Sequence, residues 1–173
     1  MNTKEMITSA ACEIFRLYPF EKVTVQLILD ESGVSRGTFY KHFADKYDVL
    51  TWFCEEQLRQ VYEAYEDSDE LNYQLNRVSF QYKEMYRVLF LKDKNNSLEK
   101  NIESLLLKTA IERSLRRSGQ KLPSERLKAE ALCLAAGITR LIREWVLGRV
   151  SLDLGDFTAV TDRIIRDFNL NHL

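Results

Sequence analysis

The stretch "VSRGTFYKHFADK", residues 34–46, sets a serine, an arginine, a glycine and a threonine ahead of three aromatic rings, with Lys41 and His42 among them. On a helix turning by ~100° per residue, Phe39 and Phe43 share one face. Val34 stands just before Ser35, and Phe39 is the fourth residue after it; these are the two halves of a hydrophobic staple around a capping serine. Val34, Phe39 and Phe43 therefore turn inward. Gly37, Thr38 and Lys41 fall on the far side, flanked by Tyr40 and His42. Arg36 lies closer to the phenylalanine side by angle, but it sits in the free first turn, from which a long stem reaches outward. The outer face is thus small at its start and cationic farther along. Helix N-termini attract anions through unpaired N–H groups and the dipole. A glycine there removes the side chain that would hold the helix end away from a surface.

The neighbouring residues frame this helix. Thr24 is a cap for a short helix over 25–32, with Val23 and Ile28 as its staple pair. Gly33 fits the left-handed position just past that helix. Ser35 then caps the helix over 36–43, and Asp45 caps another starting at Lys46. Two short capped helices joined by a tight glycine turn form a helix-turn-helix, whose second helix can lie in the major groove of DNA. Before them, Ile7, Ala11, Ile14, Phe15 and Tyr18 define a first helix, with Thr3 as its expected cap and Pro19 as its stop.

Beyond residue 46, apolar residues keep recurring at steps of three and four. Leu50, Phe53, Leu58, Val61 and Tyr65 mark a fourth helix, followed by the polar turn "EDSDE", 66–70. Leu71, Leu75, Val78, Tyr82, Met85 and Leu89 predict one continuous fifth helix, broken by "KDKNNS", 92–97. Leu98, Ile102, Leu105, Thr109 and Leu115 predict another, ended by Gly119. Pro123 and Ser124 introduce a long helix to about Leu147, closed by Gly148, and Asp156 is the expected cap of a last one carrying Phe157, Val160, Ile164 and Phe168. The expected fold is all-α, with about eight helices: a helix-turn-helix domain over 1–47 and a helical domain over 48–173.

The long helix is apolar on two sides, which means burial on two sides. With the last helix it suits a four-helix bundle formed by two subunits, and Leu134, Ala135, Ile138, Leu141, Ile142, Trp145, Ile164 and Phe168 are its expected interface. Dimerisation would let two recognition helices read a near-palindromic duplex. The rings Trp52, Tyr62, Tyr82, Tyr86 and Phe90 cluster between the fourth and fifth helices and are candidates for an effector pocket.

Composition narrows the classes of function. The chain has 173 residues, of which 45% are hydrophobic and 29% charged, with only 6 Gly and 2 Pro. That is a folded composition favouring long helices. No apolar run approaches the ~20 residues that span a bilayer, and the N-terminus lacks a signal-peptide layout; the expected compartment is the cytoplasm. Net charge is −1, so DNA binding must rest on where the cations sit rather than on their number. Cys12, Cys54 and Cys133 lack metal-ligand or redox spacing and are expected as reduced thiols in or near the core. Of the two histidines, His42 lies on the recognition helix and His172 at the C-terminus. There is no phosphate-cradling glycine loop, no H-E-x-x-H and no nucleophile elbow. No catalytic residue, metal or cofactor is expected.

"TVQLILDESGVSRGTFYKHFADKYDVL", residues 24–50, resembles the signature of the tetracycline-repressor (TetR) family of bacterial regulators. Thr24-Val25, Gly33-Val34-Ser35, Thr38-Phe39-Tyr40, His42-Phe43, Lys46 and Leu50 carry the likeness, and "ITSAACEIF" before them also fits. Pro19 stands where the family usually has glycine, and Leu29 and Ser32 replace small alanine-like positions. The resemblance implies that Thr24 touches phosphate, and that Arg36, Gly37, Thr38 and Lys41 face bases or nearby phosphates. It implies phosphate contacts for Tyr40, His42 and Lys46. Ser35, at the cap of the reading helix, and Gln26, early in the helix before, are also expected among the DNA-binding residues. The resemblance also implies a dimer on double-stranded operator DNA and a central region that encloses a small-molecule effector. The expected function is that of a repressor released by such an effector. The alternative is an adaptor or activator whose C-terminal domain binds a protein partner. "REWVLG", 143–148, is loosely similar to a branch of the family that includes regulators of dihydroxyacetone kinase operons.

Overall fold

The computed structural model describes residues 2–66, 68–92 and 97–170. They form nine α-helices and one 3₁₀ turn, with no strand among the described residues. In chain order these are α1 (Thr3–Leu17), the 3₁₀ turn Phe20–Lys22, α2 (Val25–Ser32), α3 (Arg36–His42), α4 (Lys46–Tyr65), α5 (Leu71–Gln81), α6 (Lys83–Lys92), α7 (Ser97–Ser118), α8 (Glu125–Val146) and α9 (Leu154–Leu170). None of the helices is long and apolar enough to cross a membrane. The expected turn at 66–70 and break at 92–97 fall partly, and His172 wholly, outside the described residues.

The first four helices are set by local chemistry. The cap of α1 is Asn2 rather than the expected Thr3. Asn2 Oδ1 accepts from the Glu5 amide at 2.9 Å, and Glu5 Oε2 accepts from the Asn2 amide at 2.8 Å. This reciprocal box needs its acid three residues after the cap, a spacing that Glu5 satisfies for Asn2 and not for Thr3. Ile7, Ala11, Ile14 and Phe15 are buried, and Tyr18 is extended ahead of Pro19. Thr24 Oγ1 accepts from the Leu27 amide, Gly33 takes φ 66°, and Asp45 Oδ1 accepts from the amides of Tyr47 and Asp48. Phe39 and Phe43 join α1, α2 and α4 in a core that continues without a break through α6, α8 and Phe157.

The second half departs from expectation at three places. The single fifth helix is two, α5 and α6, because Tyr82 leaves helical geometry (φ −108°, ψ 24°). Its ring stands edge-on to Phe53 at 5.1 Å and is buried. The break lets α5 lie on α4 and α9 while α6 lies on α4 and α8. The apolar spacing runs on through it, so periodicity alone joins the two. The cap of the last helix is Asp153, whose Oδ1 accepts from the Asp156 amide at 2.8 Å, and not Asp156. Cys12 and Cys54 are buried as expected, but Cys133 is exposed; burial pushes the Cys54 thiol far above its ordinary range.

Polar groups fasten α5 to α9. The buried Asn76 donates through Nδ2 to Thr161 Oγ1 at 2.9 Å, and Asn72 Nδ2 donates to Thr161 Oγ1 at 2.9 Å and Asp162 Oδ1 at 2.6 Å. Such bonds fix one register between helices that apolar contact alone would let slide.

Candidate nucleic-acid interface

The helix α3 is short because it is stapled at both ends. Ser35 Oγ accepts from the Thr38 amide at 3.2 Å, and Phe43 ends the helix with its own amide on the Phe39 carbonyl. Phe39 is fully buried and Phe43 nearly so, and Tyr40 meets Phe39 edge-to-face at 5.3 Å while staying half exposed. Arg36, Gly37, Lys41 and His42 are exposed on this helix, and Thr38 is partly so. A Cβ placed on Gly37 would meet nothing within 4 Å, so packing within the chain does not demand glycine there.

The sequence-predicted DNA residues fall into free and engaged groups. Gly37, Tyr40, Lys41 and His42 stand open on or beside the outer face. Arg36 is tied to α2: its Nη2 donates to Gln26 Oε1 at 3.1 Å, and Gln26 Nε2 donates to Asp30 Oδ1 at 2.7 Å. Gln26 thus orients the arginine while remaining exposed itself. The hydroxyls of Ser35 and Thr38 bond each other at 2.8 Å, and the Thr24 hydroxyl serves its cap. Lys4 was not expected here. Its ammonium lies 5.7 Å from the centre of the Phe43 ring, at the end of α3. Thirty-nine residues separate the two in sequence, and no local pattern links them.

Lys46 does not stand free as a phosphate contact. Its Nζ donates to the carbonyls of Phe20 at 2.8 Å and Val23 at 2.6 Å, and lies 4.4 Å from the centre of the Phe20 ring. Desolvation lowers its ammonium below the ordinary lysine value, with Glu21 and Asp45 opposing. The 3₁₀ turn Phe20–Lys22 directs its carbonyls at the start of α4, and the lysine occupies them.

The expected ring pocket also changes. Tyr82, Tyr86 and Phe90 are buried in the core, where Tyr86 donates its hydroxyl to the Cys54 carbonyl at 3.3 Å. They line neither of two cavities that flank α7. One cavity, about 580 Å³, lies between α4 and α7 and includes Trp52 and Tyr62. The other, about 560 Å³, lies among α5, α7, α8 and α9. Its walls include Leu71, Leu75, Leu105, Leu106, Ile138 and Ile165, and its polar groups include Asn72, Arg113, Arg117, Asp162 and Arg166. Sequence periodicity missed these groups because it marks which face of a helix turns inward, not where facing helices fail to meet.

Five of the expected interface residues, Ala135, Ile138, Ile142, Trp145 and Phe168, are buried within their own chain. Trp145 stacks on Phe157 at 4.4 Å and donates through Nε1 to the Leu152 carbonyl at 2.8 Å. Leu134 and Leu141 are half-buried against the same core, and Leu134 lines the second cavity. Ile164 alone of the set is exposed. The more apolar stripe of α8 turned inward. What it leaves outside is Leu132, Cys133, Ala136 and Gly137, with Val160 and Ile164 outside on α9.

Residues 7–51 match the sequence model of bacterial regulatory proteins, tetR family. No curated protein matches the chain. Similar folds occur among solved structures. The dihydroxyacetone kinase operon activator DhaS has a TM-score of 0.69 at 20% identity, over 98% of this chain and 96% of that one. A structure from Syntrophomonas wolfei, described as a TetR-family transcriptional regulator, has a TM-score of 0.58 at 16% identity, over 99% and 96%. The fatty acid degradation regulator FadR from Bacillus halodurans has a TM-score of 0.54 at 17% identity, over 100% and 98%.

Proposed function

We propose that this chain, whose residues 7–51 match the model of the tetR-family regulators, is a DNA-binding regulator of that kind: a homodimeric repressor released from its operator by a small molecule. Residues 1–47 serve as the reading unit and 48–173 as the dimerising and sensing unit. The observation that carries the reading is the outer face of α3: exposed glycine near its start, exposed Lys41 and His42 at its end, and two phenylalanines holding it rigid from behind. In this reading Gly37 lets backbone approach the major groove, Lys41 and Arg36 meet bases or phosphates, and Tyr40, His42 and Thr24 meet phosphates.

The second subunit would cover the outward residues of α8 and α9, Leu132, Ala136, Gly137, Val160 and Ile164. The same two helices supply Leu134, Ile138, Ile165 and Phe168 to the cavity behind that face. Occupying the cavity would move the helices that set the spacing of the two recognition helices. A ligand favouring the wrong spacing would shift the population off DNA by its difference in affinity for the two states.

Gly37→Leu tests the reading. The substitution at an exposed helical position favours the helix by ~0.5–1 kcal/mol, and should leave thermal stability intact or raised. It should remove specific binding to a selected operator duplex in a mobility-shift titration. Normal operator binding by this variant would show that α3 does not face the groove.

A further inference from the structure

We propose that the cavity among α5, α7, α8 and α9 binds an amphipathic anion, with its acidic head held by Arg117 and Arg166 and its apolar body along the leucine-rich wall. The proposal rests on the reading of this cavity as the effector site and names the chemistry of the effector. At about 560 Å³ the space suits a small molecule. On α7 the face turned to it runs from Leu106 through Thr109 and Ala110 to Arg113 and Arg117, positions three and four apart. It is apolar at one end and cationic at the other. On α9, Asp162, Ile165, Arg166 and Asn169 face it at the same spacing.

The lining sets Asp69 and Asp162 against Arg113, Arg117 and Arg166, which leaves one positive charge in excess. Asp162 accepts from Asn72, and Arg113 donates to the Ser68 carbonyl. Neither Arg117 nor Arg166 has a hydrogen-bond or ion-pair partner among the described residues. Arg117 lies in the last turn of α7, where a cation also suits the helix dipole, but Arg166 lies in no such turn of α9. The cavity between α4 and α7 offers the contrast. Its cations Arg59 and Lys108 are matched on their own helices, Arg59 by Glu56 and Glu63, Lys108 by Glu112. A guanidinium presents paired donors that fit a carboxylate or phosphate. A cationic ligand would meet uncompensated positive charge at this rim, and a neutral one would gain from the walls alone.

The experiment is calorimetric titration of the purified full chain with octanoate, octyl phosphate and octanol, repeated on the double variant Arg117→Gln, Arg166→Gln. Both substitutions lie at exposed positions, so the fold should persist. Octanoate or octyl phosphate should bind on the order of tenfold tighter than octanol, and the double variant should erase that preference while leaving octanol binding unchanged. The order of the two anions identifies the head group. Equal binding of octanol and both anions, unaltered in the variant, overturns the anion assignment and leaves the cavity as a ligand site. Binding by none of the three overturns the proposal. Arginine-dependent anion binding that leaves operator affinity unchanged keeps the ligand class and removes the effector reading of the cavity.

Discussion

The unit proposed to read DNA and the unit proposed to sense a ligand are built on opposite plans. In the first, helices of 15, 8 and 7 residues close on Phe39 and Phe43, and no residue before Trp52 lines any of the three cavities of about 530 to 580 Å³. In the second, α7 separates two open spaces, and Leu105 lines both. A recognition helix must hold its shape against DNA, and short helices stapled to a filled core do so. A sensor must have room for a ligand and a second packing to move into. Filled and unfilled interiors respond differently to lost volume.

The sharpest way to break this contrast is to cut side chains from each interior. Phe39→Ala empties a fully buried site and should cost ~3–5 kcal/mol. Leu105→Ala, on a half-buried residue that already borders empty space, should cost about 1 kcal/mol. Urea denaturation followed by circular dichroism measures both. Equal losses would mean that the sensing interior is as tightly filled as the reading one.

The same contrast governs what the sequence could reveal. Thr24, Gly33, Ser35 and Asp45 all sit where their caps and turn were expected. Each acts on a backbone group within a few residues, so composition and spacing contain the answer. Tyr82 is different. Its break depends on Phe53, on another helix, and no local signal marks it. The two-sided apolar pattern of α8 showed that both sides would be covered. It does not say which side faces the chain's own core, and Trp145, Ile138 and Ile142, expected at a subunit contact, are buried in the protomer instead. The arginines of the cavity and the lysine at Phe43 are likewise products of distant elements meeting.

A second test sharpens the assignment of the outer face of α8. A side chain on Gly137 would meet nothing within 4 Å in the protomer. Gly137→Leu should therefore leave the protomer folded but weaken the dimer by ~1–3 kcal/mol through overpacking at the contact. Sedimentation equilibrium across a dilution series reads the shift. Unchanged association would move the subunit contact away from this stretch of α8.

Polar register is the next smaller effect. Asn76→Ala removes the donor to Thr161 in the seam between α5 and α9. Thr161 still accepts from Asn72 and still donates to the carbonyls of Phe157 and Thr158. With those partners kept, the loss should be about 1 kcal/mol. Amide exchange should rise in α9 and not in α1–α3. Faster exchange throughout the reading unit would show that the two units share one cooperative fold and would weaken the contrast between them.

The smallest expected effect is an absence, and it concerns the point where the units join. Lys46 is the first residue of α4, and its ammonium already spends two of its protons on the carbonyls of Phe20 and Val23. It therefore belongs to the rigid frame rather than to the charged surface. Arg36 and Lys41 remain as cations on the outer face of each subunit. A dimer using both would neutralise about four phosphates, giving a log–log salt slope of roughly −4. Lys46→Met keeps the apolar stem and removes only the ammonium. It should lower stability by on the order of 1 kcal/mol, since the bonds are charge-assisted but partly screened by solvent. The slope should stay within ~0.5 of the wild type, whereas Lys41→Met should flatten it by about 2 per dimer. Salt titration of an operator duplex with the three proteins decides the matter. If Lys46→Met flattens the slope as much as Lys41→Met, the lysine leaves its carbonyls for a phosphate on binding, and the start of α4 belongs to the DNA contact surface.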